Sequence, residues 1–94
     1  MLRIQDQVLW VTGKIDFDNA EQCYQQGLQL IQSHSLPLTV DLSQLTYSST
    51  VALAVLLRWL RQTPHAQGLK FQAVPEKMLK IMQSCHLQQD LQFV

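Results

Sequence analysis

A chain of 94 residues in which seven Lys and Arg balance seven Asp and Glu, with 47% hydrophobic and only 15% charged residues, describes one small, neutral domain over residues 1–94. A domain of this size hides about 60–70% of its unfolded surface, enough for a core but leaving little for an enclosed active site. Zero net charge argues against a sequence-independent grip on nucleic acid or an anionic membrane, because both require surplus Lys and Arg.

The balance conceals a division. Residues 1–49 carry Arg3 and Lys14 against Asp6, Asp16, Asp18, Glu21 and Asp41, a net −3, and residues 50–94 carry Arg58, Arg61, Lys70, Lys77 and Lys80 against Glu76 and Asp90, a net +3. Cys23 and Cys85 are far apart, with no CxxC and no His at zinc spacing, so neither a disulfide framework nor a metal site is indicated and reduced thiols in a cytosol are expected. The longest unbroken apolar run, Val51 to Leu57, has seven residues, against the roughly 20 of a membrane span. Asp6 interrupts the place where a signal peptide needs its apolar stretch, so a soluble cytoplasmic chain with no direct membrane insertion is expected.

In chain order, Leu2–Ile4 and Val8–Thr12 read as two strands of a hairpin around Gln5-Asp6-Gln7, and Gly13 is expected to end the second. Asp18, three residues before Glu21, has the spacing of a capping box opening a helix. Ala20, Cys23, Tyr24, Gly27, Leu28, Leu30 and Ile31 then recur at helical spacing to about Ser33. After Pro37, Leu38–Leu42 is compact and β-branched, the pattern of a central strand buried on both faces. Ser48, Ser49 and Thr50 offer three N-caps in succession before a helix over Val51–Gln62, which stops ahead of Pro64. Leu69–Val74 reads as another strand after Gly68, Pro75 suits the first turn of a third helix reaching about Ser84, and Leu91–Val94 as a weak last strand. The alternation implies an α/β domain, a mixed β-sheet packed by about three to four helices through right-handed crossovers.

Catalytic templates fail. Gly13, Gly27 and Gly68 form no phosphate-cradling loop, so no cofactor site is expected. His34, His65 and His86 have neither triad nor metal spacing and read as surface or partly packed residues. Cys85 and His86 are adjacent in sequence, which does not make a nucleophile face a base. Asp18 is explained by capping and Asp16 by a turn.

The informative element is the second helix. At 100° per residue, Leu53, Leu56, Leu57 and Leu60 form a stripe of the kind that faces a sheet. The other side should be polar, yet it holds Val51, Val55 and Trp59 beside Arg58. A helix apolar on both sides either packs on a neighbouring helix of its own fold or docks against another protein. Trp and Arg are common interface anchors, so Val51, Val55, Arg58 and Trp59 are the residues such a partner surface would use. At the start of this helix one of Ser48, Ser49 and Thr50 caps, and a phosphate on such a hydroxyl would add roughly −1.5 to −2 charges beside the docking surface.

The run Val40-Asp41-Leu42-Ser43, Leu45, Ser48-Ser49-Thr50 and Leu53-Ala54-Val55-Leu56-Leu57, with Gly13-Lys14-Ile15-Asp16 upstream, resembles the STAS-domain family over nearly the whole chain. The resemblance implies a single STAS-like domain. In the family's anti-sigma-factor antagonists the second helix opens on an Asp-Ser-Ser/Thr-Gly type motif phosphorylated by a partner kinase. Here the acceptor falls on Thr50, with Ser49 in place of the Asp and Ala52 in place of the Gly. The similar MlaB-like branch keeps a Thr at the start of a Leu-rich helix. That likeness implies a non-catalytic cytoplasmic subunit that binds the ATPase of an ABC-type phospholipid transporter maintaining outer-membrane lipid asymmetry, with Thr50 an interface residue and Thr50, Val51, Ala54, Val55, Arg58 and Trp59 the expected partner-binding set; the alternative, implied by the antagonist branch, is an anti-sigma-factor antagonist switched at Thr50 or Ser49 by an anti-sigma kinase.

Overall fold

The computed structural model describes residues 2–35, 37–63, 68–85 and 91–93. Strands β1 (Leu2–Gln5) and β2 (Val8–Val11) pair antiparallel from Leu2↔Val11 to Gln5↔Val8. Both turn residues between them, Asp6 and Gln7, lie at positive φ, 55° and 63°, the backbone hand that matches strand twist in a two-residue hairpin. Gln7 is an unusual residue for that conformation. Its side-chain amide donates to the carbonyls of Ser35 (2.9 Å) and Pro37 (3.2 Å), tying the turn to the entry of the strand that starts at Leu38.

The remaining elements are β3 (Gly13–Lys14), α1 (Ala20–Gln32), β4 (Leu38–Asp41), β5 (Leu45–Tyr47), α2 (Thr50–Arg61), β6 (Leu69–Gln72), α3 (Glu76–Ser84) and β7 (Gln92–Phe93). The main sheet runs β1-β2-β4-β6-β7, with every pairing after the hairpin parallel. Three crossovers, through α1, α2 and α3, each step the same way across it. Right-handed crossovers that never reverse direction place all their helices on one face.

Burial follows that rule. Leu9, Val11, Val40, Leu69 and Phe71 are fully buried beneath Leu53, Leu56, Met78 and Met82 from the helices, whereas the intervening Val8, Trp10 and Thr39 are half-buried and Lys70 is exposed. The mixed α/β sheet is therefore as the sequence implies, and in β4 Leu38 and Val40 are buried on one face while the other face has Thr39 half-buried and Asp41 buried. Strand β4 is central in the sheet and covered by helices on one side only.

Four local expectations change. Gly13 does not end β2; at φ 90° it opens β3, its N–H donating to the Gln44 carbonyl (3.1 Å), and β3 pairs parallel with β5, a strand the sequence pattern did not announce. The capping box at α1 does not form. Asn19 is the N-cap residue, Asp16 Oδ1 accepts the N–H groups of Asp18 (3.0 Å) and Asn19 (3.1 Å), and Glu21 is directed elsewhere. Strand β6 stops at Gln72 because Ala73 adopts φ 53°. Pro75 stands at the cap position of α3, whose first helical residue is Glu76. Pro64, His65 and His86 lie outside the described residues.

Candidate functional site

Helix α2 begins where β5 delivers the chain. Ser49 is extended and its Oγ accepts the Ala52 N–H at 3.1 Å, satisfying one orphan amide of the first turn. Arg58 and Arg61 occupy the last turn, where cations complement the negative end of the helix. Of the three candidate hydroxyl residues, Ser48 is buried, Ser49 is engaged as the cap and Thr50 is exposed as the first helical residue.

The two sides of α2 have separate fates. Val55 is 2% exposed and Trp59 0% exposed, so neither lies on an open docking face as the partner-binding set supposed. Trp59 is packed against α1, its indole N–H donating to the Tyr24 carbonyl at 3.0 Å. Gly27 makes room for it: a Cβ on that residue would overlap the Trp59 ring. The apolar second side is thus largely absorbed by a neighbouring helix. Exposed on α2 are Thr50, Ala54, Arg58 and Arg61, with Val51 and Leu57 half-buried at their margin. At 100° per residue Thr50, Ala54, Leu57, Arg58 and Arg61 fall within an arc of about 100°. Leu57 therefore borders the open stripe instead of facing the sheet with Leu53 and Leu56.

Arg58 is held in place from α1. Its guanidinium lies 3.6 Å from the centroid of the Tyr24 ring and pairs with Glu21 at 2.7 Å. The hydrogen bond from Arg58, with a second from Gln25, keeps the Glu21 carboxyl below its usual range. This pair crosses the division of charge in the sequence, joining an acid of the first half to a base of the second.

Beside the start of α2 lies a groove of about 360 Å³ lined by Lys14, Ile15, Asp16, Phe17, Tyr47, Ser49, Thr50 and Val51. Strands β3 and β5 build it, bringing Lys14 and Tyr47 side by side. Phe17 is 89% exposed and Tyr47 48% exposed, and the ammonium groups of Lys14 and Lys77 stand 5.5 and 5.4 Å from the Tyr47 ring centroid. Sequence reasoning gave none of these four residues a place in the candidate site. The one available signal was Phe17, a large apolar side chain between two Asp residues and outside either helical stripe.

Elsewhere, Asp41 is buried at the end of β4. Burial pushes its carboxyl up, but the hydroxyl and N–H of Ser43 (2.6 and 2.8 Å) and the Gln72 amide (2.7 Å) outweigh that and leave it below the usual aspartate range. Burial raises the Cys23 thiol to about 11, which keeps it protonated and unreactive at neutral pH. Cys85 is exposed. His34 is also exposed, its Nδ1 2.8 Å from the Leu30 carbonyl. Among the described residues, no three His, Cys, Asp or Glu gather where a metal ion would be held, and no helix is long and apolar enough to cross a membrane.

A one-sided β/α layer with a capped helix opening beside an accessory two-stranded sheet defines the class: a small α/β domain that presents a helix face. The chain belongs to the STAS-domain family, since the family model described as "Mlab, STAS domain" matches residues 2–93. Among solved structures it is similar to a chain of the Acinetobacter MlaFEDB complex in an ATP-bound Vtrans1 conformation, at 59% identity over 100% of both chains with a TM-score of 0.91. The same complex in its Vtrans2 conformation gives 59% identity, 100% and 99% coverage and a TM-score of 0.92. An anti-sigma factor antagonist from Mycobacterium paratuberculosis shares the fold, with a TM-score of 0.81 at 19% identity over 99% of this chain and 81% of that one. Comparison with curated proteins returned no match.

Proposed function

We propose that this chain is a non-catalytic, cytoplasmic STAS subunit that binds and supports the ATPase of an ABC-type phospholipid transporter, and that it docks through the open stripe of α2. The observation that carries the reading is the 59% identity, end to end, with a chain of the MlaFEDB complex. Contact with the membrane then comes through the transporter and not through the chain's own apolar surface. The docking residues are Thr50, Val51, Ala54 and Arg58 of the sequence-derived set, joined by Leu57 and Arg61. Val55 and Trp59 support the stripe from beneath.

Co-expression with the cognate ATPase is expected to yield a stable complex. Thr50→Glu should abolish it while leaving the fold intact, because a carboxylate in the first turn suits the helix dipole. Failure to form the complex, or unchanged binding by this variant, overturns the reading. The exposed Thr50 hydroxyl keeps one rival in view, an anti-sigma-factor antagonist switched at this position. A stoichiometric phosphate on Thr50 after incubation with an anti-sigma kinase and ATP, read by intact mass, would favour that rival.

A further inference from the structure

Three large hydrophobic side chains are notably exposed among the described residues, Phe17, Tyr47 and Phe93, and two of the three line one groove. Single exposed apolar residues are ordinary; two sharing a concave site beside a helix face mark a contact surface. This groove also carries unspent positive charge. Lys14 and Lys77 converge on the Tyr47 ring, and among the described residues neither ammonium is paired with a carboxylate. Asp16, which also lines the groove, points Oδ1 at the backbone N–H groups of Asp18 and Asn19, and Glu76 lies 3.8 Å from Lys80.

Resting on the docking reading above, we infer that the Phe17–Tyr47 groove seats an acidic segment of the docking partner, an apolar side chain entering between the two rings and a carboxylate meeting Lys14 and Lys77. Continuity supports this, because Thr50 and Val51 line the groove and also begin the α2 stripe. So does charge: two cations sharing one ring create a local positive potential that an incoming carboxylate relieves. A protein segment fits better than an anionic membrane. The site is a concavity of about 360 Å³, suited to one or two side chains, on a chain whose net charge is zero.

The test has two arms. In the first, the ¹⁵N-labelled full chain is titrated with a synthetic peptide alternating Glu with Leu and Phe, and with a Lys-containing counterpart of equal apolar content. Amide shifts are expected to concentrate at Lys14, Phe17, Tyr47, Thr50 and Val51 for the acidic peptide alone. Affinity should fall about tenfold in Lys14→Gln/Lys77→Gln and in Phe17→Ser, and should weaken with salt. Phe17 is so exposed that its replacement leaves folding intact. Shifts centred on other residues, or wild-type affinity retained by both variants, overturn the inference. So does binding to vesicles of equimolar phosphatidylglycerol and phosphatidylcholine with the same sensitivity to the variants, which would make the groove a membrane contact. In the second arm the cognate ATPase replaces the peptide, with the same tenfold loss expected. If Ala54→Arg abolishes ATPase binding and Lys14→Gln/Lys77→Gln does not, the acidic seat is wrong and the docking reading stands. If wild-type protein binds no ATPase, the docking reading is wrong and the peptide titration still decides the groove.

Discussion

The α1-facing side of α2 and its open side differ by less than half a turn of helix and do opposite things. On the first, Val55 and Trp59 are buried, the indole N–H has a carbonyl partner, and Gly27 has given up its side chain so that the ring can lie against the α1 backbone. On the second, Thr50, Ala54 and Arg61 remain in water. Arg58 stands on the border, fixed over Tyr24 and paired with Glu21 yet exposed. Apolarity read on a helical wheel does not distinguish internal packing from docking. What distinguishes them is whether a neighbouring element offers a complementary space, and here α1 offers one made by a glycine.

The contrast can be broken most severely from the buried side. Trp59→Ala is expected to cost about 3–5 kcal/mol in equilibrium unfolding, since it leaves a large cavity beside Gly27 and removes the indole hydrogen bond to the Tyr24 carbonyl. A loss below about 1 kcal/mol would mean the ring is not a core element. From the open side, Ala54→Arg should change stability by less than about 0.5 kcal/mol while weakening ATPase binding about a hundredfold, because it places a long charged side chain at the centre of the stripe. Equal effects on both measurements would dissolve the distinction between the sides.

Smaller changes sharpen it. Ser49→Ala removes the cap and should lower stability by about 1 kcal/mol, whereas Thr50→Ala, one residue on, should lie within about 0.5 kcal/mol of wild type in chemical denaturation. The smallest effect belongs to the border pair. The Glu21 carboxyl is depressed in the folded state, so its stabilising contribution is present above the unfolded glutamate range and fades as pH falls through the lower folded value. Because both partners are exposed, that acid-side loss should be slight, should shrink with added salt, and should vanish in Glu21→Gln. A pH dependence below pH 5 that persists unchanged in Glu21→Gln would assign it instead to Asp41, whose carboxyl is also depressed.

Much of the architecture could be read from local pattern. The hairpin around Asp6 and Gln7, the helix from Ala20, the strand at Leu38 and the helix opened by Ser49 each carry their own turn, cap or periodicity signal. The start of α1 at Asn19 was missed because Asp18 and Glu21 have the right spacing for a capping box but Glu21 is drawn to Arg58, a partner 37 residues away. Strand β5 was missed because Leu45–Tyr47 is three residues long and gains strand character only by pairing with Gly13 and Lys14. Gly27 was the overlooked clue to Trp59. A glycine inside a helix costs about 1 kcal/mol relative to alanine, and its presence there signals a close approach by something else.

What the sequence determined by itself is the class: a neutral α/β domain of one core, alternating strands and helices, and a second helix opened by one of Ser48, Ser49 and Thr50, with the residues that place it among STAS domains. Those features rest on near-neighbour physics, the 3.6- and 2-residue periods and the chemistry of caps and turns. The tertiary structure alone decided which apolar side of α2 is already occupied, and that Lys14, Phe17 and Tyr47 share one groove with Lys77 reaching the Tyr47 ring at its edge. Both depend on contacts between segments 30 or more residues apart, which no local period encodes because they are set by how the strands order themselves in the sheet.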